Sequence, residues 1–114
     1  MAISEAYTGS VSISTTEISM TNGNSTIATV TTDGVYQAVV DVNALTAADV
    51  FEFRVREKAR SADTQRSVYL ATIAGAQAYN FVSPAITLIN GWDMTLKKIS
   101  GTDRTITWSI RQLS

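Results

Sequence analysis

Apolar side chains that recur at every second position restrict this chain more than any other feature of it. Near the C-terminus Trp92, Met94 and Leu96 alternate with Asp93, Thr95 and Lys97. After Ser100-Gly101-Thr102-Asp103 the same period resumes, with Ile106, Trp108 and Ile110 set against Thr105, Thr107, Ser109 and Arg111. Successive side chains of a strand point to opposite faces, whereas a helix repeats every ~3.6 residues, so this spacing demands half-buried strands. Gly101 can supply a positive φ and Asp103 a local cap, which marks a chain reversal between the two runs. The expectation is a β-hairpin whose core face carries Trp92, Met94, Leu96, Ile106, Trp108 and Ile110.

The period returns upstream. Across Val50 to Lys58, Phe51, Phe53 and Val55 face one way and Glu52, Arg54, Arg56 and Lys58 the other. Before it, Tyr36, Ala38, Val40 and Val42 alternate with Gln37, Val39 and Asp41, and the connection 43–49 has room for a single helical turn at most. Arg66 to Ile73 differs, because Val68 and Leu70 point one way while Tyr69, Ala71 and Ile73 point the other. Apolar groups on both faces predict a central strand, or one covered on one side by a partner.

The stretch from Gly75 to Pro84 is rich in small residues and suits a loop or an edge strand, and Asn90-Gly91 is a tight-turn signal leading into Trp92. The first third is rich in Ser and Thr, yet Tyr7, Val11, Ile13, Ile18, Met20, Ile27 and Val30 recur within it, so strands are compatible there. Short strands spaced by turn signals every ~8 to 12 residues predict an all-β fold, an antiparallel β-sandwich of about seven to eight strands. The length suits one domain spanning 1–114, with residues 1–9 available as an extended N-terminal arm.

Composition narrows the chemistry. The chain has neither His nor Cys, so the usual general base at neutral pH, the thiolate nucleophile and the common zinc ligands are missing. The carboxylates are scattered, and those on strands, such as Glu52, lie on the solvated face; no enzyme, no cofactor and no metal site is expected. Asp41-Val42-Asn43 with Asp49 downstream superficially suggests a calcium loop, but it lacks the glycine of the sharp turn and the terminal Glu, and turn capping accounts for these residues. A formal net charge of −1 lacks the basic footprint of a nucleic-acid binder. No run of ~18 apolar residues or basic, apolar leader is present, which points away from a membrane and toward a chain made and kept in the cytosol.

A binding role is what remains. Tyr79 and Phe81, aromatic residues in a small-residue loop, are candidates for an interface or for burial under the sandwich edge. Glu57 to Arg66 mixes charge signs, as a solvated hairpin tip usually does and a docking contact sometimes does. Trp92 and Trp108 would suit either a core or a sugar-stacking platform.

The run Asp33-Gly34-Val35-Tyr36-Gln37-Ala38-Val39-Val40-Asp41, then Asn43-Ala44-Leu45 and Ala48-Asp49-Val50-Phe51-Glu52-Phe53-Arg54-Val55, and later Gly91-Trp92-Asp93-Met94-Thr95-Leu96-Lys97-Lys98 and Gly101 to Arg111, resembles small virion proteins of tailed bacteriophages. The likeness covers about two-thirds of the chain. It implies a capsid decoration, or cement, protein: a β-sandwich or jelly-roll module that binds the outer face of the major-capsid lattice and stabilises the expanded head. The implied location is the outer surface of the virion after synthesis in the host cytoplasm, with the major capsid protein as partner and copies of the chain itself as a further candidate. On this reading Tyr7, Val11 and Ile13 reach onto a capsid subunit or a neighbouring copy while Tyr79 and Phe81 pack apolar surface. The alternative is a carbohydrate- or host-receptor-binding module of a phage tail or fibre.

Overall fold

A computed structural model describes residues 3–113. Among the described residues nine strands form: β1 (Ser4–Ile13), β2 (Ile18–Ser19), β3 (Gly34–Asp41), β4 (Val50–Glu57), β5 (Arg66–Ala74), β6 (Phe81–Val82), β7 (Ile86–Leu88), β8 (Asp93–Ser100) and β9 (Arg104–Gln112). No helix occurs among the described residues, and 43–49 is a pair of turns closed by Leu45 N–H on Val42 C=O and Asp49 N–H on Thr46 C=O.

The strands make two antiparallel sheets. One has the order β1-β9-β3-β6, with β7 also on β3, and the other β2-β8-β4-β5. The pairings are nested: β1 with β9, β2 with β8, β3 with β6 and β7, and β4 with β5. A long antiparallel ribbon rolled over on itself gives this order, which is the jelly-roll arrangement. Strands β6 and β7 occupy one position in it, because Pro84 has no N–H to give the ladder and the register slips by one residue across it. Ser83 repairs the gap: its hydroxyl accepts from Ala38 N–H at 2.9 Å and its own N–H donates to Ala38 C=O at 3.0 Å.

The expected C-terminal hairpin is corrected by this topology. Strands β8 and β9 lie in different sheets, and 101–103 is an arch that carries the chain across the core rather than a turn between paired neighbours. Period two tells which face of a strand is buried but not which strand lies beside it. The six residues assigned to that face, Trp92, Met94, Leu96, Ile106, Trp108 and Ile110, are all buried, approaching one another from opposite sheets.

They meet Tyr36, Ala38, Val40, Phe51, Phe53 and Val55, the inward sets of β3 and β4. Burying a large apolar side chain contributes roughly 1.5–3 kcal/mol, so this contiguous layer is the main source of stability in a chain without disulfides. Each tryptophan satisfies its polar atom internally: Trp92 Nε1 donates to Thr32 C=O at 3.1 Å and Trp108 Nε1 to Met20 C=O at 2.9 Å. Tyr36 packs on Trp92 with ring centroids 4.4 Å apart, and Tyr7 meets the same indole edge-on at 6.0 Å.

The N-terminal arm is corrected as well. From Ser4 onward the chain pairs with β9, starting with Ser4 opposite Gln112, so residues 4–9 are sheet; Met1 and Ala2 lie outside the described residues. Strand β5 is not central: it is the outer strand of its sheet, with Val68 and Leu70 on the solvent face and Tyr69, Ala71 and Ile73 facing inward.

Candidate functional site

Three connections emerge side by side at one end of the sandwich. Val50 pairs with both Ala74 and Ser100, so the loops 42–49, 75–80 and 101–103 leave from neighbouring positions. Asp49 ties them together. Its side chain, 1% exposed, accepts from Thr46 N–H at 2.8 Å and Thr102 N–H at 3.0 Å, and Arg104 Nε donates to it at 2.7 Å. Its backbone C=O accepts from Gly75 N–H at 2.8 Å. Arg104 also reaches Thr46 Oγ1 at 3.0 Å.

Those bonds set the electrostatics of Asp49. The N–H groups of Thr102 and then Thr46, aided by Arg104 and against the cost of burial, hold its carboxyl far below the ordinary carboxylate range. The arch at 101–103 depends on glycine, since Gly101 has φ +95° and a Cβ there would lie 2.3 Å from Asp49 Oδ1. Asp41 caps the start of the adjoining loop by accepting from Asn43 N–H at 3.0 Å. Asp41 and Asp49 are thus turn caps, as their chemistry predicts, while Asn43 contributes only its backbone N–H.

The loops so braced carry little charge. Neither 43–48 nor 75–80 contains a charged side chain, and alanines 44, 47, 48, 76 and 78 are exposed. Above them stands Tyr79, 86% exposed, the most exposed large apolar residue among those described. Gln77 pins the loop beneath it, donating from Nε2 to Ala74 C=O at 2.9 Å and to Gly75 C=O at 3.1 Å.

The other expected interface residues do not join Tyr79. Phe81 turns inward against Phe53, with ring centroids 5.2 Å apart. Ile13 is fully buried, and Tyr7 and Val11 are half-buried against the core, because all three lie on the inward face of β1. Their alternation with Thr8, Ser10 and Ser12 is a core pattern, so they are withdrawn from the interface. Trp92 and Trp108 are internal and offer no platform for a sugar ring.

The opposite end of the sandwich has an open cleft of about 690 Å³ between the β4–β5 loop and the β7–β8 connection. Mixed charges line it, including Glu57, Lys58, Asp63 and Arg66. Glu57 is already committed, accepting from Ile89 N–H at 2.7 Å and Asn90 N–H at 2.9 Å, and Arg60 pairs with Asp63 on the surface. This is the solvated hairpin tip expected from the sequence.

On the outer face of the second sheet, Glu17 accepts a bidentate pair from Arg56, at 3.0 and 2.7 Å, and a short bond from Thr95. Burial pushes the Glu17 carboxyl up, and the bonds from Arg56 and Thr95 outweigh it and hold it below its ordinary value. Asp93, fully buried, accepts from Thr21, Ala28 and Met94 and thereby fixes the β2–β3 crossing. These carboxylates are consumed by structural bonds. Among the described residues no cluster of three or more His, Cys, Asp or Glu is placed to hold a metal ion.

Neither a family model, a curated protein nor a solved structure matches the chain.

Proposed function

We propose that the chain is a non-enzymatic structural protein of a phage virion, which binds the outer surface of the major-capsid lattice and stabilises the expanded head through the tip that carries Tyr79. The observation that carries this reading is Tyr79 itself, 86% exposed on the 75–80 loop, which contains no charge and which Asp49 C=O ties down at Gly75 N–H. Interface cores are depleted of charge and enriched in tyrosine, and a few such residues supply most of the binding energy. A braced tip has little to lose in ordering when it docks, so more of the contact energy appears as affinity.

The resemblance to small phage head proteins supplies the class of partner. A ligand that binds only the expanded lattice stabilises that state by mass action, and no active site is needed for it. Repetition of the lattice multiplies a modest single-site affinity wherever linked copies engage together.

The test is co-sedimentation of the purified chain with expanded and unexpanded heads of the virus whose genome encodes it. Saturable binding to expanded heads, with little to unexpanded ones, is the expected result. Absence of binding to either form, or binding to cell-surface glycans in its place, would overturn the proposal and favour a receptor-binding module.

A further inference from the structure

Each sheet has two edges, and all four carry some device that discourages another strand from adding, but in β5 it is confined to the start of the strand, where Val68 is an extra residue. Strand β1 has an extra residue, Ala6, where its register shifts, and Gly9 at its middle. Strand β2 is two residues long, and the β6–β7 edge is broken by Pro84. Bulges, short strands and proline are the usual means of blunting an edge. From Tyr69 to Ala74, β5 has none: no proline, no glycine and no charge.

The backbone direction in that window follows from its pairing. Gly75 N–H donates to Asp49 C=O, so residues 71 and 73 turn their polar groups toward β4, while Leu70, Thr72 and Ala74 aim theirs at the open edge. The window is bounded at both ends. Val68 is the extra residue where the β4–β5 register shifts, and the carbonyl of Ala74 is already taken by Gln77. Leu70 and Thr72 are left with N–H and C=O both uncommitted, and they flank Ala71.

We propose that a second copy of this chain adds to β5 antiparallel about a two-fold axis at Ala71, joining the two four-stranded sheets into one of eight strands. In this register Leu70 of each copy exchanges both backbone bonds with Thr72 of the other, giving four bonds across the axis. Side chains fit the same register: Leu70 meets Thr72 on the outer face, while Tyr69 meets Ile73 and Ala71 meets Ala71 on the inner. Aromatic, aliphatic and β-branched cross-strand pairs of this kind are favourable, and no like charges face each other. Leu70, 51% exposed in the single copy, gains cover. A net charge of −1 leaves little long-range repulsion between copies. The inference concerns the edge and not the Tyr79 tip, so it stands or falls without capsids.

Sedimentation of the full chain against concentration is the first arm of the test, with a reversible dimer expected. The double variant Leu70→Lys/Thr72→Lys sets lysine against lysine across the axis and should weaken the dimer by about tenfold or more. Leu70→Glu/Thr72→Lys sets opposite charges there and should restore it. Both variants alter exposed positions on the solvent face, so circular dichroism and the urea midpoint should show a retained fold. The chain has no cysteine, so Ala71→Cys introduces a single thiol that should form a disulfide-linked dimer under mild oxidation. A wild type that stays monomeric up to about 0.1 mM, a dimer indifferent to the lysine pair, or an Ala71→Cys thiol that stays free would each overturn the proposal.

Discussion

Gly9 lies directly opposite Trp108 in the β1–β9 ladder, and the indole covers it. A Cβ built at Gly9 would stand 2.2, 2.6 and 2.9 Å from Cζ2, Cε2 and Cη2 of that ring, where ordinary contact is 3.4–4 Å. The ring cannot easily retreat, since Trp108 is 4% exposed and its Nε1 is held by Met20 C=O. Gly9→Ala therefore forces β1 away from β9 or tilts the indole off its hydrogen bond. Overpacking of this kind costs about 1–3 kcal/mol, and the upper half applies because the clash is with a pinned ring. Removing a glycine from a strand returns roughly 0.5–1 kcal/mol through the unfolded chain. The net expectation is a loss of about 2 kcal/mol, or roughly 8 °C in thermal midpoint for a domain of this size. Urea unfolding followed by tryptophan fluorescence measures it, and Gly9→Ala/Trp108→Leu should lose less than the two single changes summed. A stability gain for Gly9→Ala would refute the assigned pairing of Gly9 with the indole.

Asp49 ionises with a folded-state pKa below its ordinary value of 3.8, so its contribution is complete above that value and is lost as pH falls through the acid range beneath it. Asp49→Asn should therefore be less stable than wild type at neutral pH, with the gap narrowing below about pH 4 in a pH series of thermal melts. Phe53→Ala, which opens a cavity beneath Tyr69 and Phe81, should cost about 3–5 kcal/mol by urea titration. Tyr79→Ala should change stability by no more than about 0.5 kcal/mol, because the ring is exposed, yet sharply lower occupancy on expanded heads.

Much of the fold is legible because period two fixes the inward face of a strand. Phe51, Phe53 and Val55, Tyr36, Ala38 and Val40, and Ile106, Trp108 and Ile110 were all assignable to the core from spacing alone, and all are buried. Strand neighbours were not legible. Gly101 and Asp103 announce a reversal, but an arch between facing sheets and a hairpin within one sheet use the same turn residues. The two apolar faces of Val68 to Ile73 arise because β5 is an edge whose outer face has Leu70 beside solvent, a situation that spacing cannot separate from a central strand.

The site was legible in part. Tyr79 stood out as an aromatic in a loop of small residues, whereas Phe81, two positions on, shares its side of the chain in spacing but turns into the core at the first residue of β6. Asp49 read correctly as a turn cap. Its wider role was hidden because its partners Thr102 and Arg104 lie 53 and 55 residues downstream. Tyr7, Val11 and Ile13 misled because a Ser/Thr-rich strand at a sheet edge has the composition of a linker and the alternation of a core strand.

Electron cryo-microscopy of expanded heads saturated with the chain tests the central claim most directly. The account predicts density for one sandwich end-on to the shell, with the 42–49, 75–80 and 101–103 loops against the major capsid protein and Tyr79 at the contact. Bare heads at saturating protein, or a sandwich lying with that end turned to solvent, would contradict it.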